Sequence, residues 1–166
     1  VKGPGLMTGY LDDSASTRQA IDEDGWLHTG DLGSIDEEGY LRITGRKKNV
    51  IVTSGGKNVA PGPLEHRLEQ LSLVSHAVVV GHGRSHLVAL LTLTPARLAE
   101  WATEQDVLYE NIDKLRKDVR VYKELENRIE KVNEELAPHE RIRRFAILDA
   151  DFTQETGELT RDFKVR

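Results

Sequence analysis

The stretch GRKKNVIVTSGGKNVAP, residues 45–61, sets three basic residues directly before a short apolar run and a corner rich in glycine. Residues 50–53 are predicted to form a strand, residues 54–57 the turn, here called the glycine corner, and residues 58–59 the returning strand. Glycine supplies the positive φ angles of a tight turn, and it also lets a backbone approach a ligand closely. The stretch therefore predicts a hairpin, and it leaves open whether the corner is a plain turn or one wall of a binding site.

The overall composition is that of a soluble globular protein whose charge argues against nucleic acid as a partner. The chain has 166 residues, of which 38% are hydrophobic and 31% charged, and its formal net charge is −5. A negative protein does not attract a polyanion, so the basic triplet Arg46-Lys47-Lys48 is a local feature. No apolar run reaches the roughly 18 residues of a membrane span. The absence of cysteine excludes disulfides and thiolate metal sites, and it leads us to expect a reducing, cytoplasmic location.

The segment after the hairpin predicts a small α+β domain in which helices cover a sheet. Pro63 suits the first turn of a helix that carries Leu64, Leu68 and Leu71 on one face. Two apolar runs, SHAVVVG and HLVALLTLTP, follow as a second hairpin joined by residues 82–85. Their near-continuous apolar character indicates strands that are buried on at least one face.

Helices and one more strand complete this domain. Pro95 opens a helix that runs through Trp101. Apolar residues then recur at spacings of three and four over residues 108–136, which predicts one long amphipathic helix ended by Pro138. The apolar face of this helix is expected to pack on the second hairpin, or alternatively to form a coiled coil with a partner. Residues 145–148 are predicted to form a last strand before a polar tail.

The segment before the glycine corner is predicted to be β-rich. Within GSIDEEGYLRITG, one strand ends near Ile35 and residues 40–44 return after a turn. A short helix is expected over residues 18–22, with Asp13 or Ser14 as its cap.

These patterns divide the chain into residues 1–45, a connection at residues 46–48 and a second domain at residues 49–166. The first residue is Val1 rather than Met, and VKGPGLMTGYL has the character of interior sequence. We therefore expect the chain to be a fragment of a longer protein.

The sequence HTGDLG, residues 28–33, contains the first candidate for chemistry. A carboxylate on a tight turn, here Asp31, can accept hydrogen bonds from both hydroxyls of a ribose, although an ordinary turn Asp bonds only its own backbone. Arg46 comes fifteen positions later, after one hairpin, so the two side chains are expected to lie side by side. Arginine offers a rigid fork of donors for hydroxyl or phosphate oxygens. The alternative is a surface salt bridge of little energetic value.

The histidines give no comparable signal. His82 and His86 are four residues apart, but a turn separates them, so they do not form a helical metal-binding pair. No Ser-His-Asp pattern with a nucleophile elbow is present in the sequence.

Four segments in close succession carry a family resemblance: GPGLMTGYL, DGWLHTGDLG, GYLRITGRKKNVIVTSGGKNVAPGPLE and HAVVVG. In this order they strongly resemble the C-terminal part of the acyl-adenylate-forming superfamily, which includes acyl-CoA synthetases, luciferases and peptide-synthetase adenylation domains. The stretch around Lys48 is most similar to long-chain fatty acid CoA ligases, whereas many aryl and acetyl ligases have Asp at that position. The resemblance covers nearly the whole chain. It implies that residues 1–45 are the β-rich end of the N-terminal adenylating domain and that residues 49–166 are the mobile C-terminal domain.

The resemblance implies a reaction in two halves. A carboxylate attacks the α-phosphate of ATP to give acyl-AMP and pyrophosphate, and after the C-terminal domain rotates, the CoA thiol attacks the mixed anhydride. The implied substrates are a fatty acid, ATP and CoA, with Mg²⁺ accompanying ATP. Cations and closely placed backbone donors suit such chemistry, because they neutralise the charge that develops on phosphate.

The resemblance also implies roles for particular residues. Asp31 would hold the ribose hydroxyls, and Arg46 would help to bind the same nucleotide. Lys48 would be the hinge about which the domain swings, since a few residues can absorb the torsional change of a domain rotation. The residues that would line the path of the pantetheine arm are Gly55, Gly56 and Lys57 of the glycine corner and Asn58 directly after it.

This sequence departs from the family pattern at the position of the catalytic lysine. The family motif often reads Gly-Lys near the C terminus, and its lysine contacts the carboxylate and the phosphate. Here Glu158 follows Gly157, and glutamate cannot supply a positive charge. Lys164 is the candidate replacement, and a solvated lysine near the chain end is the alternative.

Two further parts of the family's active site are missing from this sequence. The phosphate loop rich in Ser, Thr and Gly and the acyl-binding tunnel both belong to the larger N-terminal domain, which would be the chain's main partner. We therefore expect that this chain alone holds none of the cofactors and adenylates nothing.

Other functions remain open at the level of sequence. An aryl-CoA ligase or a fatty acyl-AMP ligase is the nearest alternative, and CoA-dependent thiol consumption would separate them. A non-catalytic interaction module that uses the predicted long helix is an alternative of another class. Peripheral association with a membrane is compatible with a lipid substrate, but no segment requires it.

Overall fold

The computed structural model describes residues 1–161 and 165, and the chain divides into two compact units. The first unit is Val1–Asn49 and the second is Val50–Arg166. Helices occur together with small sheets in both, so the α+β class predicted from the sequence is confirmed.

The first unit contains one short helix and one antiparallel hairpin. Its elements are α1 (Ser14–Ala20), β1 (Asp31–Ile35), β2 (Leu41–Arg46) and a 3₁₀ turn (Lys47–Asn49). The Asp13 side chain caps α1 by accepting a hydrogen bond from the Ser16 amide at 2.9 Å. The cap thus agrees with the prediction, and it makes the helix begin four residues earlier than expected.

The second unit holds a small hairpin, a three-stranded sheet and four helices among its described residues. Its elements are β3 (Ile51–Val52), β4 (Asn58–Val59), α2 (Pro61–Glu69), β5 (Val74–Val80), β6 (Leu87–Leu93), α3 (Pro95–Glu104), α4 (Ile112–Arg116), α5 (Val119–Glu134) and β7 (Ile142–Ile147). The sheet has the order β5-β6-β7, with β6 antiparallel to β5 and parallel to β7.

The central strand β6 explains the near-continuous apolar run in the sequence. Leu87, Ala89 and Leu91 are fully buried, and Thr92 on the other face is fully buried as well. Because β6 is paired on both sides and covered by helices, nearly every position along it avoids water.

The single helix predicted over residues 108–136 is wrong, because the structure has two helices there. Asn111 caps α4 by accepting from the Lys114 amide at 2.9 Å. Asp118 caps α5 by accepting from the Arg120 amide at 2.8 Å, and α4 has ended before it. Short polar side chains that bond the nearby backbone favour caps over helix interiors, and here they interrupt the helix.

The apolar period in the sequence runs across this break, but the buried face does not follow it there. Val119, four residues after Leu115, is 77% exposed, whereas Val121, Leu125 and Ile129 of α5 are buried with Leu115 of α4 in the same core. Spacing alone therefore does not report which residues face the core next to the break, because a new helix begins after the Asp118 cap.

Replacing the cap with Asp118→Ala is expected to lower the free energy of unfolding by about 1 kcal/mol near neutral pH. Hydrogen bonds from the side chain and the backbone amide of Arg120 lower the pKa of Asp118 from 3.8 to about 2. Since the folded pKa lies below the unfolded one, this contribution is complete above about pH 4 and is lost as the pH falls toward 2.

Urea unfolding of both proteins at about pH 6 and about pH 2 measures this effect. The difference in the free energy of unfolding between the wild type and Asp118→Ala should shrink at the lower pH. The control is Glu104→Gln, at an exposed carboxylate at the end of α3, and its difference from the wild type should be the same at both pH values. A difference between the wild type and Asp118→Ala that stays constant with pH would contradict the proposed role of the cap.

Candidate functional site

The structure brings Asp31 and Arg46 side by side across the β1–β2 hairpin. They are direct partners in the strand register, and the Arg46 Nε atom lies 2.7 Å from Asp31 Oδ1. The Arg46 side chain is 55% exposed and that of Asp31 is 26% exposed, so both can be reached by a ligand. A surface ion pair of this kind contributes little to stability by itself.

A tight turn before β1 fixes this pair. Gly30 has φ +74°, a conformation that glycine adopts readily. Its carbonyl accepts from the Lys47 amide at 2.8 Å, and the Thr29 carbonyl accepts from Arg46 Nη1 at 3.0 Å. Arg46 therefore bridges the Asp31 carboxylate and the turn backbone, and it holds both in one arrangement.

The pair keeps hydrogen-bonding capacity for a ligand. Arg46 uses Nε and Nη1, and Asp31 Oδ2 accepts no hydrogen bond from any residue in the described part of the chain. A carboxylate with a free oxygen beside a guanidinium can accept from a sugar hydroxyl while the cation faces a phosphate or another hydroxyl. The pair can therefore bind a ligand that carries hydroxyl groups and an anionic group.

The glycine corner joins β3 to β4, as the sequence predicts, and Thr53 fastens it. The Thr53 amide donates to the Lys57 carbonyl at 2.9 Å, and Thr53 Oγ1 accepts from the Lys57 amide at 3.1 Å. The Gly56 amide donates to the Thr53 carbonyl at 2.9 Å. Thr53 is buried, whereas Lys57 and Asn58 are exposed.

The two glycines of the corner differ in what the turn requires of them. Gly56 has φ +71°, so the turn itself explains this glycine. Gly55 has no positive φ, and a Cβ atom there would meet only Thr53 Oγ1 at 4.0 Å. Neither backbone conformation nor packing within the second unit therefore requires glycine at position 55.

The turn between β5 and β6 lies against β3. The Gly83 amide donates to the Val52 carbonyl at 2.8 Å, and the Ser54 amide donates to the Arg84 carbonyl at 2.9 Å. The Val52 amide donates to His82 Nδ1 at 3.3 Å. The sequence analysis considered His82 only as a metal ligand and missed its hydrogen bond with the Val52 amide. The second edge of a two-residue strand has backbone amides and carbonyls that need hydrogen-bond partners, and this requirement is the signal that could have indicated the contact.

A second polar cluster that the sequence analysis missed centres on Asp151. Its carboxylate accepts from Ser75 Oγ and Thr92 Oγ1, each at 2.6 Å, and lies 2.9 Å from His76 Nδ1. The Phe152 amide also donates to it at 2.9 Å. Partial burial acts to raise the pKa of Asp151, but these hydrogen bonds outweigh burial and hold the pKa below its ordinary value. The cluster ties the segment after β7 to β5 and β6.

The remaining predicted site residues lie elsewhere or outside the described residues. Lys48 is exposed in the 3₁₀ turn, and the two units divide directly after Asn49. Its role as a hinge stays a prediction, as do the domain limits and the other residue roles. Lys164 lies outside the described residues.

Two other features are absent from residues 1–161 and 165. No group of three or more His, Cys, Asp or Glu side chains among them could hold a metal ion. No helix in the same residues is both long enough and apolar enough to cross a membrane.

Curated relatives support the resemblance read from the sequence. The chain is 41% identical over 167 residues to the long-chain-fatty-acid–CoA ligase FadD15 of Mycobacterium tuberculosis, which covers all of this chain and 28% of the relative. It is 36% identical over 182 residues to the human long-chain-fatty-acid–CoA ligase ACSBG1, covering 99% of this chain and 25% of the relative. The chain thus spans about a quarter of the length of these relatives.

Solved structures with a similar fold are adenylation enzymes. The A domain of the carboxylic acid reductase from Segniliparus rugosus, in complex with AMP and a co-purified carboxylic acid, matches with a TM-score of 0.77 and 28% identity, over 99% of this chain and 24% of that one. The o-succinylbenzoate CoA synthetase of Bacillus subtilis, in complex with its acyl-adenylate intermediate, matches with a TM-score of 0.65 and 25% identity, over 99% of this chain and 28% of that one.

The family assignment rests on a match that covers more than half of the chain. Residues 48–162 match the family described as the AMP-binding enzyme C-terminal domain, and this span contains the glycine corner and all of β3 to β7. The resemblance predicted from the ordered motifs is thereby confirmed. The chain belongs to the family of AMP-binding enzyme C-terminal domains.

Proposed function

We propose that the chain serves an AMP-forming ligase that activates a long-chain fatty acid with ATP and transfers it to CoA. The observation that carries the proposal is the Asp31–Arg46 pair, joined at 2.7 Å and open to a ligand, directly before a domain of this family. Relatives named long-chain-fatty-acid–CoA ligases support the choice of substrate class. Because those relatives are about four times as long, the activity would require a larger partner domain.

In the first half-reaction, Asp31 and Arg46 bind the adenosine part of ATP and then of acyl-AMP. Asp31 accepts hydrogen bonds from the ribose hydroxyls through its free Oδ2 atom. Arg46 orients that carboxylate through Nε and contributes positive charge near the nucleotide. Both groups act by positioning, which is the main task of a protein in adenylate formation.

In the second half-reaction, the glycine corner forms one wall of the path along which the CoA thiol reaches the acyl-AMP. The absence of a side chain at Gly55, which the turn does not require, supports this role. Lys57 and Asn58 are exposed at the same corner and can contact the pantetheine amides. Lys48 would be the hinge between the two arrangements, and Lys164 would supply the catalytic cation of the first.

Mg²⁺ is implied together with ATP. No group of three or more His, Cys, Asp or Glu side chains among the described residues could hold it.

Two neighbouring activities compete with this proposal. A fatty acyl-AMP ligase would form the adenylate without consuming CoA, and an aryl-CoA ligase would require an aromatic acid. Assays of the full-length protein with palmitate or benzoate, ATP and CoA separate these activities through thiol consumption and pyrophosphate release. We expect both signals with palmitate. Pyrophosphate release without thiol consumption would favour the fatty acyl-AMP ligase, and turnover of benzoate alone would favour the aryl-CoA ligase.

A further inference from the structure

The turn between β5 and β6 holds the strand that leads into the glycine corner. Three hydrogen bonds join them: Gly83 amide to Val52 carbonyl at 2.8 Å, Ser54 amide to Arg84 carbonyl at 2.9 Å, and Val52 amide to His82 Nδ1 at 3.3 Å. Two of them are made by backbone alone, whereas the third depends on a particular side chain. The position of the corner is therefore set from outside its own hairpin.

This external support matters because the hairpin is very short. β3 and β4 contribute two residues each, and an isolated two-stranded hairpin is marginally stable in water. The turn acts as a third partner on the free edge of β3 and satisfies its backbone groups. Gly83 has φ +69°, which lets the turn present its amide to Val52.

The His82 contact requires a defined state of the imidazole. Nδ1 accepts the Val52 amide hydrogen, so it carries no proton and the neutral ring has its proton on Nε2. The charged and titratable groups that share the adjoining cavity with His82 are Arg84 and His86. His86 Nδ1 instead lies 3.1 Å from Ser85 Oγ, within the turn itself.

We propose that His82 is a positioning residue for the thioester half-reaction, since its Nδ1 atom fixes the start of the glycine corner through the Val52 amide. This inference rests on the proposed function, in which the corner lines the path of the CoA thiol. Adenylate formation does not use the corner and should not depend on His82.

The test compares His82→Ala, His82→Asn and the control His86→Ala in the full-length enzyme. The Asn side chain places its amide oxygen the same number of bonds from Cα as Nδ1, so it can accept the same hydrogen bond. We expect His82→Ala to lower kcat/KM for CoA by about five- to tenfold, the usual effect of one hydrogen bond. Palmitate-dependent ATP–pyrophosphate exchange should stay within about twofold, and His82→Asn should recover most of the loss.

Hydrogen exchange of the Val52 amide gives a second readout that does not depend on activity. Exchange should be faster in His82→Ala than in the wild type, and it should be near the wild-type rate in His82→Asn and His86→Ala. Equal losses in both half-reactions, an unchanged kcat/KM for CoA, or unchanged Val52 exchange would overturn the inference. If the wild type itself forms no thioester, the proposed function fails, and with it the catalytic part of the inference.

Discussion

Arg46→Ala is expected to lower palmitate-dependent ATP–pyrophosphate exchange by the full-length enzyme by about 100-fold or more, the usual cost of removing one preorganised charged donor. The variant loses the Nε contact to Asp31 at 2.7 Å and the Nη1 contact to the Thr29 carbonyl at 3.0 Å. The carboxylate that should bind the ribose would then lack its orienting partner. Both the KM for ATP and kcat should change, since the pair serves the nucleotide and the adenylate.

Arg42→Ala is the matched control for this change. Arg42 lies on the same strand, is 76% exposed, and pairs with Asp36 at the far end of the hairpin. It should leave exchange within about twofold of the wild type, because a surface ion pair of this kind has little energetic value. If Arg46→Ala behaved like Arg42→Ala, the nucleotide role would be wrong and a non-catalytic interaction module would be the better description.

Gly56→Val is expected to abolish most thioester formation while adenylate formation continues. Gly56 has φ +71°, and a β-branched residue cannot adopt this angle without strain. The corner must therefore shift, and a displacement of about 1 Å near the reacting groups can cost about 100-fold in rate. Transfer of the palmitoyl group from preformed palmitoyl-AMP to CoA measures this step separately from ATP–pyrophosphate exchange.

Two alanine variants separate strain from ligand contact at the corner. Gly62→Ala in α2 is the control, since Gly62 has no positive φ and a Cβ atom there meets nothing within 4 Å. Gly55→Ala introduces a methyl group without backbone strain and should slow transfer to CoA only if a ligand passes close to it. Gly56→Val with normal transfer to CoA would exclude the corner from the thiol path.

The local elements could be predicted because their signals lie within a few residues. The β1–β2 hairpin, the glycine corner and the Asp13 cap each follow from turn or cap residues beside a short apolar run. The pairing of Asp31 with Arg46 followed from the length of one hairpin. The helix over residues 108–136 was misread because Asp118, a strong cap, lies within an unbroken apolar period.

The contacts that could not be predicted join residues far apart in the chain. His82 meets Val52 across 30 positions, and Asp151 meets His76 across 75. The free edge of β3 indicates that some group must bond Val52, but the sequence around either residue does not identify its partner, because the partner is brought close only when the sheet assembles. These are also the contacts that hold the glycine corner and the segment after β7 in place.

Fatty-acid-dependent ATP–pyrophosphate exchange, measured on the full-length protein and on residues 1–166 alone, tests the central claim most directly. The claim is that this chain supplies the Asp31–Arg46 pair and the glycine corner to an active site completed by another domain. It predicts exchange by the full-length protein with palmitate and no detectable exchange by residues 1–166. Exchange by residues 1–166 alone, or none by the full-length protein, would contradict the claim.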